Sequence, residues 1–168
     1  MIINALITSL EFLSIYFISH KLSNKNLRPY IMDFVFLAII LCSDAFIGPQ
    51  PLFSWLFSQI ICILYISQFV AGSKNEGIFL SFATLILISV FQLISALLMI
   101  VILPDNITLS DNYSGILGNI IAFAIAVILL YFTKLKNLYN NIILSSFVYK
   151  SLLLYSYIIL VISLLYFK

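Results

Sequence analysis

The sequence predicts an all-α, polytopic membrane helix bundle of about six transmembrane helices. Three observations carry the prediction. Of the 168 residues, 64% are hydrophobic and only 8% charged, with a mean hydropathy of +1.20, whereas a soluble domain carries about 25% charged residues. Apolar runs of spanning length recur along the whole chain, separated by short polar connections. The basic residues gather in alternate connections, as the positive-inside rule requires of a membrane protein. A surface this apolar needs lipid as its solvent.

A span requires about 20 residues, since a helix rises about 1.5 Å per residue across a hydrocarbon core of roughly 30 Å. The chain is therefore expected to form one transmembrane domain, residues 1–168, with spans at 2–19, 30–48, 52–70, 78–103, 113–133 and 151–167. The first run has no basic residue before it, and its charges, Lys21, Lys25 and Arg28, follow it. That is the reverse of a secretory signal, so the run is expected to stay as a helix. The second span ends in the turn Gly48-Pro49-Gln50-Pro51, after which the third begins. The fourth, 26 residues long by the bounds 78–103, would reach about 39 Å and is expected to tilt or protrude. The fifth ends at Lys134-Leu135-Lys136. Lys150 interrupts the pattern before the sixth, whose start the pattern leaves open, and residues 139–149 are expected along the inner surface, with Lys150 snorkelling to the headgroups.

Connections 21–29, 71–77 and 134–150 hold three, one and three Lys or Arg, and connections 48–51 and 104–112 hold none. The odd connections are expected in the cytoplasm and the amino terminus outside, in a multi-pass protein of the cell membrane. Trp55 and Tyr113 then fall at the outer interface, and Tyr131 and Tyr139 at the inner one.

Composition excludes several functions. A net charge of +2 is too small and too dispersed for nucleic acid. Cys42 and Cys62 lie singly in apolar runs and read as packing residues, and His20, in the connection after the first span, cannot build a metal site alone. His20 and Cys42 fall on opposite sides, against a Cys/His dyad. No HExxH, GxSxG or phosphate-binding loop occurs, so neither catalysis nor a metal or other cofactor is expected. The sequons Asn106-Ile107-Thr108 and Asn112-Tyr113-Ser114 are of the kind that Asn- and Ser-rich loops produce by chance.

Glu11 is the most costly residue, a carboxyl halfway along the first span, where insertion costs at least ~2.5 kcal/mol. Asn4, Thr8 and Glu11 fall within about 60° on a helical wheel, a stripe that must face protein. Gln59 and Gln92 are its candidate partners in an intramembrane polar site, either structural or a place for a ligand or gate. Ser81, Thr84, Gln92 and Ser95 share one face of the fourth span. Gly115, Gly118, Asn119, Ala122 and Ala126 share one of the fifth, a spacing that permits close helix approach. Asp33 is assigned to Arg28 and Lys25 nearby. At the outer side, Asp44, Phe46, Phe53 and Trp55 could line a ligand pocket, with Asp44 selecting a cation or amide or, equally, ending its helix in solvent. Trp55 has the alternative of a plain interfacial anchor.

The basic stretch 21–28 after an external start and the short outer turn 48–51 form one part of a recognisable layout. The long fourth span running into Pro104-Asp105-Asn106, and the fifth ending in Lys134-Leu135-Lys136, complete it. This layout resembles the amino-terminal sensor domain of peptide-pheromone (quorum-sensing) receptor histidine kinases, the AgrC and ComD group of Gram-positive bacteria. The resemblance implies an external peptide ligand and a signal passed to a dimeric cytoplasmic kinase of a two-component system. It covers almost the whole chain as a layout, without a single diagnostic motif. The chain departs from the group in having no phosphoacceptor-histidine region and no ATP-binding module, and six spans from an external start end outside. The expectation is a sensor without its kinase, whose partners are the bilayer, a secreted peptide and a homodimer or kinase partner. A small-molecule transporter, or a substrate-binding membrane subunit of a vitamin importer, is the alternative on size and polar stripes. A non-catalytic immunity or accessory membrane protein is a third.

Overall fold

The structure is a computed structural model, and it describes residues 2–23, 30–47, 51–71, 74–102, 111–132, 137, 139 and 147–166. Among these residues the regular elements are all helical: α1 (Ile2–Leu22), α2 (Ile31–Ile47), α3 (Pro51–Tyr65), α4 (Lys74–Ile102), α5 (Asp111–Phe132) and α6 (Phe147–Tyr166). A π-helical turn, Ile66–Val70, continues α3 and closes with a bond from the Ala71 amide to the Ile66 carbonyl at 2.9 Å.

Two segments, Glu76–Ile102 and Ser114–Phe132, are long and apolar enough to cross a membrane, and 22% of the most apolar 18-residue stretch of each is buried inside the bundle. Large apolar side chains also face outward elsewhere: Ile31, Phe34 and Ile39 on α2, Phe57, Ile60 and Leu64 on α3, and Leu152, Tyr155 and Ile159 on α6.

Helix α4 is the hub, packing against α1, α3, the π turn, α5 and α6, while α1 makes its largest interface with α5. The small-residue face of α5 does what its spacing suggests. Ala122 and Ala126 are buried, Gly118 sits under Met99 and Ser95 of α4, and Gly115 meets the tip of Ile7 from α1. The α4 stripe also turns inward, with Ser81, Thr84 and Ser95 fully buried. The core runs through the α1, α3 and α4 contacts, where Ile18, Tyr65, Ile66, Val70 and Leu80 are fully enclosed.

Several sequence expectations need correction. His20 lies within α1, not in a connection, and only 2% of it is exposed. Its Nδ1 donates to the Tyr16 carbonyl at 2.9 Å, and its ring lies 4.2 Å from that of Tyr16. A histidine at a helix C-terminus also suits the macrodipole. Helix α4 begins at Lys74, inside the expected connection, because Glu76 in its first turn is favoured there. Helix α6 begins at Phe147 and runs through Lys150, whose Nζ lies 5.5 Å from the centre of the Phe79 ring. Tyr139, expected in an interfacial belt, is buried at 2% exposure. Tyr131 is exposed, with Lys21 Nζ 4.0 Å over its ring.

Candidate functional site

Glu11 and Gln92 come together. Gln92 Nε2 donates to Glu11 Oε1 at 3.2 Å and to Asn119 Oδ1 at 3.1 Å, so one amide joins α1, α4 and α5. Asn119 Nδ2 in turn donates to the Gly115 carbonyl at 3.0 Å, one turn back on α5. Both protons of the Gln92 amide are thus committed, which fixes its orientation. One turn along α4, the Ser95 hydroxyl donates to the Gly118 carbonyl at 2.6 Å. Beside the junction, Gly115 and Gly118 leave room on α5 for Ile7 of α1 and for Met99 and Ser95 of α4.

Gln59 takes a different partner. Its Oε1 lies 3.4 Å from the Tyr157 hydroxyl, a long bond between α3 and α6, beside a Phe82–Tyr157 ring contact of 4.8 Å. Gln59 is therefore separate from the Glu11 junction in the bond network. Asp44 and Phe46 in α2, and Phe53 and Trp55 in α3, have helical backbones, and their side chains lie outside the described residues.

A second polar cluster sits where α2 begins. Asp33 Oδ2 accepts from the Tyr30 amide at 2.6 Å, the back-reaching half of a capping box. Asp33 Oδ1 accepts from the Tyr65 hydroxyl at 2.7 Å, a fully buried bond from α3. Tyr65 is held by rings on both sides, Phe12 at 5.4 Å and Phe36 at 5.2 Å. The partners of Asp33 among the described residues are thus a backbone amide and a tyrosine; Arg28 and Lys25, the expected ones, lie outside the described residues. A tyrosine in an apolar run signals a hidden polar partner, because its buried hydroxyl needs one. Ten tyrosines in the chain left that signal without an address.

The chemistry available at the Glu11 junction is hydrogen-bond exchange and proton or ligand binding by one carboxyl and two carboxamides. Among the described residues no three His, Cys, Asp or Glu side chains gather as a metal site would need. Comparison with protein-family models, with curated protein sequences and with solved structures returned no match.

Proposed function

We propose that the chain is a multi-pass cell-membrane protein of about six spans, acting as the membrane-embedded sensor domain for an external peptide signal. The observation that carries the reading is the Glu11–Gln92–Asn119 junction between three helices. A carboxyl is costly inside an apolar helix, and where one occurs it marks function by default. A sensor needs helices that hold two arrangements, and interhelical amide bonds of roughly 0.6 kcal/mol each are weak enough to exchange. The apolar outer faces of α2, α3 and α6 favour lipid around the whole bundle. The alternation of basic connections favours an external amino terminus.

In this reading the peptide enters from outside, between the outer halves of α2 to α5, where it meets Asp44, Phe46, Phe53 and Trp55. The signal leaves through a homodimer or a separate kinase partner. Trp55→Ala and Asp44→Asn, each in nanodiscs, are tested for binding of short hydrophobic peptides carrying one cation. Truncating an aromatic anchor costs about 2 kcal/mol, so Trp55→Ala is expected to weaken binding about 30-fold. Unchanged affinity in both variants, still folded and inserted, removes the pocket. The reading includes no catalysis: purified protein given labelled ATP is expected to acquire no phosphate, and labelling above background refutes that part.

The same junction favours a second reading, a small-molecule transporter or substrate-binding membrane subunit, because carboxyl and carboxamide groups converge midway along three helices. Solute uptake by proteoliposomes that is lost in Glu11→Gln would select it over the sensor.

A further inference from the structure

We propose that the π turn Ile66–Val70 and Gly77 form a register switch, in which the end of α3 exchanges between the π turn and a continuous α-helix. This goes beyond the sensor reading and does not depend on any ligand. The first observation is the turn itself. The Ala71 amide reaches the Ile66 carbonyl five residues back, at 2.9 Å, where an α-helix would use four. Such bonds are rare within helices and occur at helix C-termini, where this one lies.

The second observation is what the turn rests on. A Cβ at Gly77 would lie 2.5 Å from Ser67 Cα and 2.9 Å from both Ser67 Cβ and the Ser67 carbonyl oxygen. Two of these neighbours are backbone, so no side chain can swing aside to make room. The π turn in this position therefore requires glycine on α4. An α-helical register has a narrower backbone and withdraws Ser67 from Gly77, which lifts the requirement.

The third observation is a hydroxyl with two acceptors. Ser81 is fully buried, and its Oγ lies 2.7 Å from the Gly77 carbonyl on α4 and 3.3 Å from the Ile63 carbonyl on α3. It has one proton to give. The bond to Ile63 ties α4 to the part of α3 that precedes the turn, and the bond to Gly77 satisfies Ser81 within α4 alone, so loss of the first leaves no buried donor unpaired. On the other side, Tyr65 is pinned by Asp33 at 2.7 Å. The part of α3 before the turn stays fixed while residues 66–70 rotate. With Tyr65 fixed, the rotation accumulates along the turn, smallest at Ile66 and largest at Val70, and it carries Val70, now fully buried, away from the core.

The experiment measures distances between two nitroxide labels in nanodiscs, at Gln68→Cys and Val90→Cys, in a background of Cys42→Ser and Cys62→Ala. Position 68 moves with the turn, and position 90 belongs to α4. Gly77→Ala is expected to shift the distance to a second, separate peak while helix content stays the same. An unchanged single distance in folded, inserted Gly77→Ala protein overturns the switch. If Gly77→Ala does not insert, Ser81→Ala decides with glycine kept at 77. A second peak there supports the switch, and its absence overturns it.

Discussion

Two buried tyrosine hydroxyls meet opposite circumstances in this bundle. That of Tyr65 donates to Asp33 at 2.7 Å, whereas that of Tyr139 is buried and has no hydrogen-bond partner among the described residues. A hydrogen bond to a charged group is worth about 1.5–3 kcal/mol, and its loss leaves a buried carboxylate oxygen short of a donor. Tyr65→Phe is expected to lower the midpoint of thermal unfolding in detergent, and Tyr139→Phe to leave it unchanged or raise it. A Tyr65→Phe midpoint equal to that of the parent would show that the bond does not form. Burial first, and the charge of Glu76 second, raise the Tyr139 phenol above its ordinary pKa of 10.0. The folded chain therefore holds that proton more tightly than the unfolded one, so the stability it contributes is present below pH 10.0 and lost as pH rises. Tyr139→Phe should make the alkaline fall in stability shallower, and an identical fall would count against the burial. At the Glu11 junction, Gln92→Leu removes donors from two acceptors, and membrane hydrogen bonds average about 0.6 kcal/mol. A loss of roughly 1 kcal/mol in reversible unfolding is expected. Glu11 and Gln92 were legible in the sequence, because polar groups in apolar runs must turn toward protein. Asn119 was legible only as part of a small-residue face, and its bond to Gln92 depends on a helix pairing that no local pattern states.

At the scale of the helices, what the sequence left unread was mostly their ends. Lys74, Glu76 and Lys150 looked like interruptions, yet all three lie within helices. The reason is physical: a charge in a terminal turn can meet the macrodipole or reach past the helix end, so it does not mark where the helix stops. The extension of α1 through His20 and Lys21 follows the same rule. The π turn was not legible either, since the residue packed closest against Gly77, Ser67, is brought to it only by the pairing of α3 and its π turn with α4. The glycines of α5 were legible, and the structure separates them from Gly77. A Cβ at Gly118 would meet Met99 Sδ at 3.6 Å, an ordinary contact, and one at Gly115 would meet only the flexible tip of Ile7 at 3.0 Å. Gly118→Ala is therefore expected to change stability by less than about 0.5 kcal/mol. Gly118→Leu, whose side chain must enter the space under Met99 and Ser95, is expected to cost about 1–3 kcal/mol as an overpacked interface does. Equal unfolding midpoints for the two variants would mean that α4 and α5 do not meet at Gly118.

For the molecule as a whole, the sequence stated how many apolar runs exist but not which helices touch. The pairing of α1 with α5, and the central place of α4, are invisible in hydropathy because the outward and inward faces of these helices are both rich in large apolar residues. Only the polar stripes carried direction. Orientation rests on a different physical footing, the distribution of charge between connections, and it can be tested without knowing the packing. Seven of the eight Lys and Arg residues fall in connections 21–29, 71–77 and 134–150, and none in 48–51 or 104–112. Basic residues resist translocation, so the first set is expected on the cytoplasmic side. Asp105 and Asp111 in connection 104–112 agree, although acidic residues weigh little in this rule. In a background lacking Cys42 and Cys62, Thr108→Cys is expected to react with a membrane-impermeant maleimide in intact cells. Asn24→Cys should react only after permeabilisation. The reverse pattern would place the basic connections outside and Asp44, Trp55 and connection 104–112 in the cytoplasm. It would remove external peptide binding by those residues, while leaving the Glu11 junction and the π turn where they are.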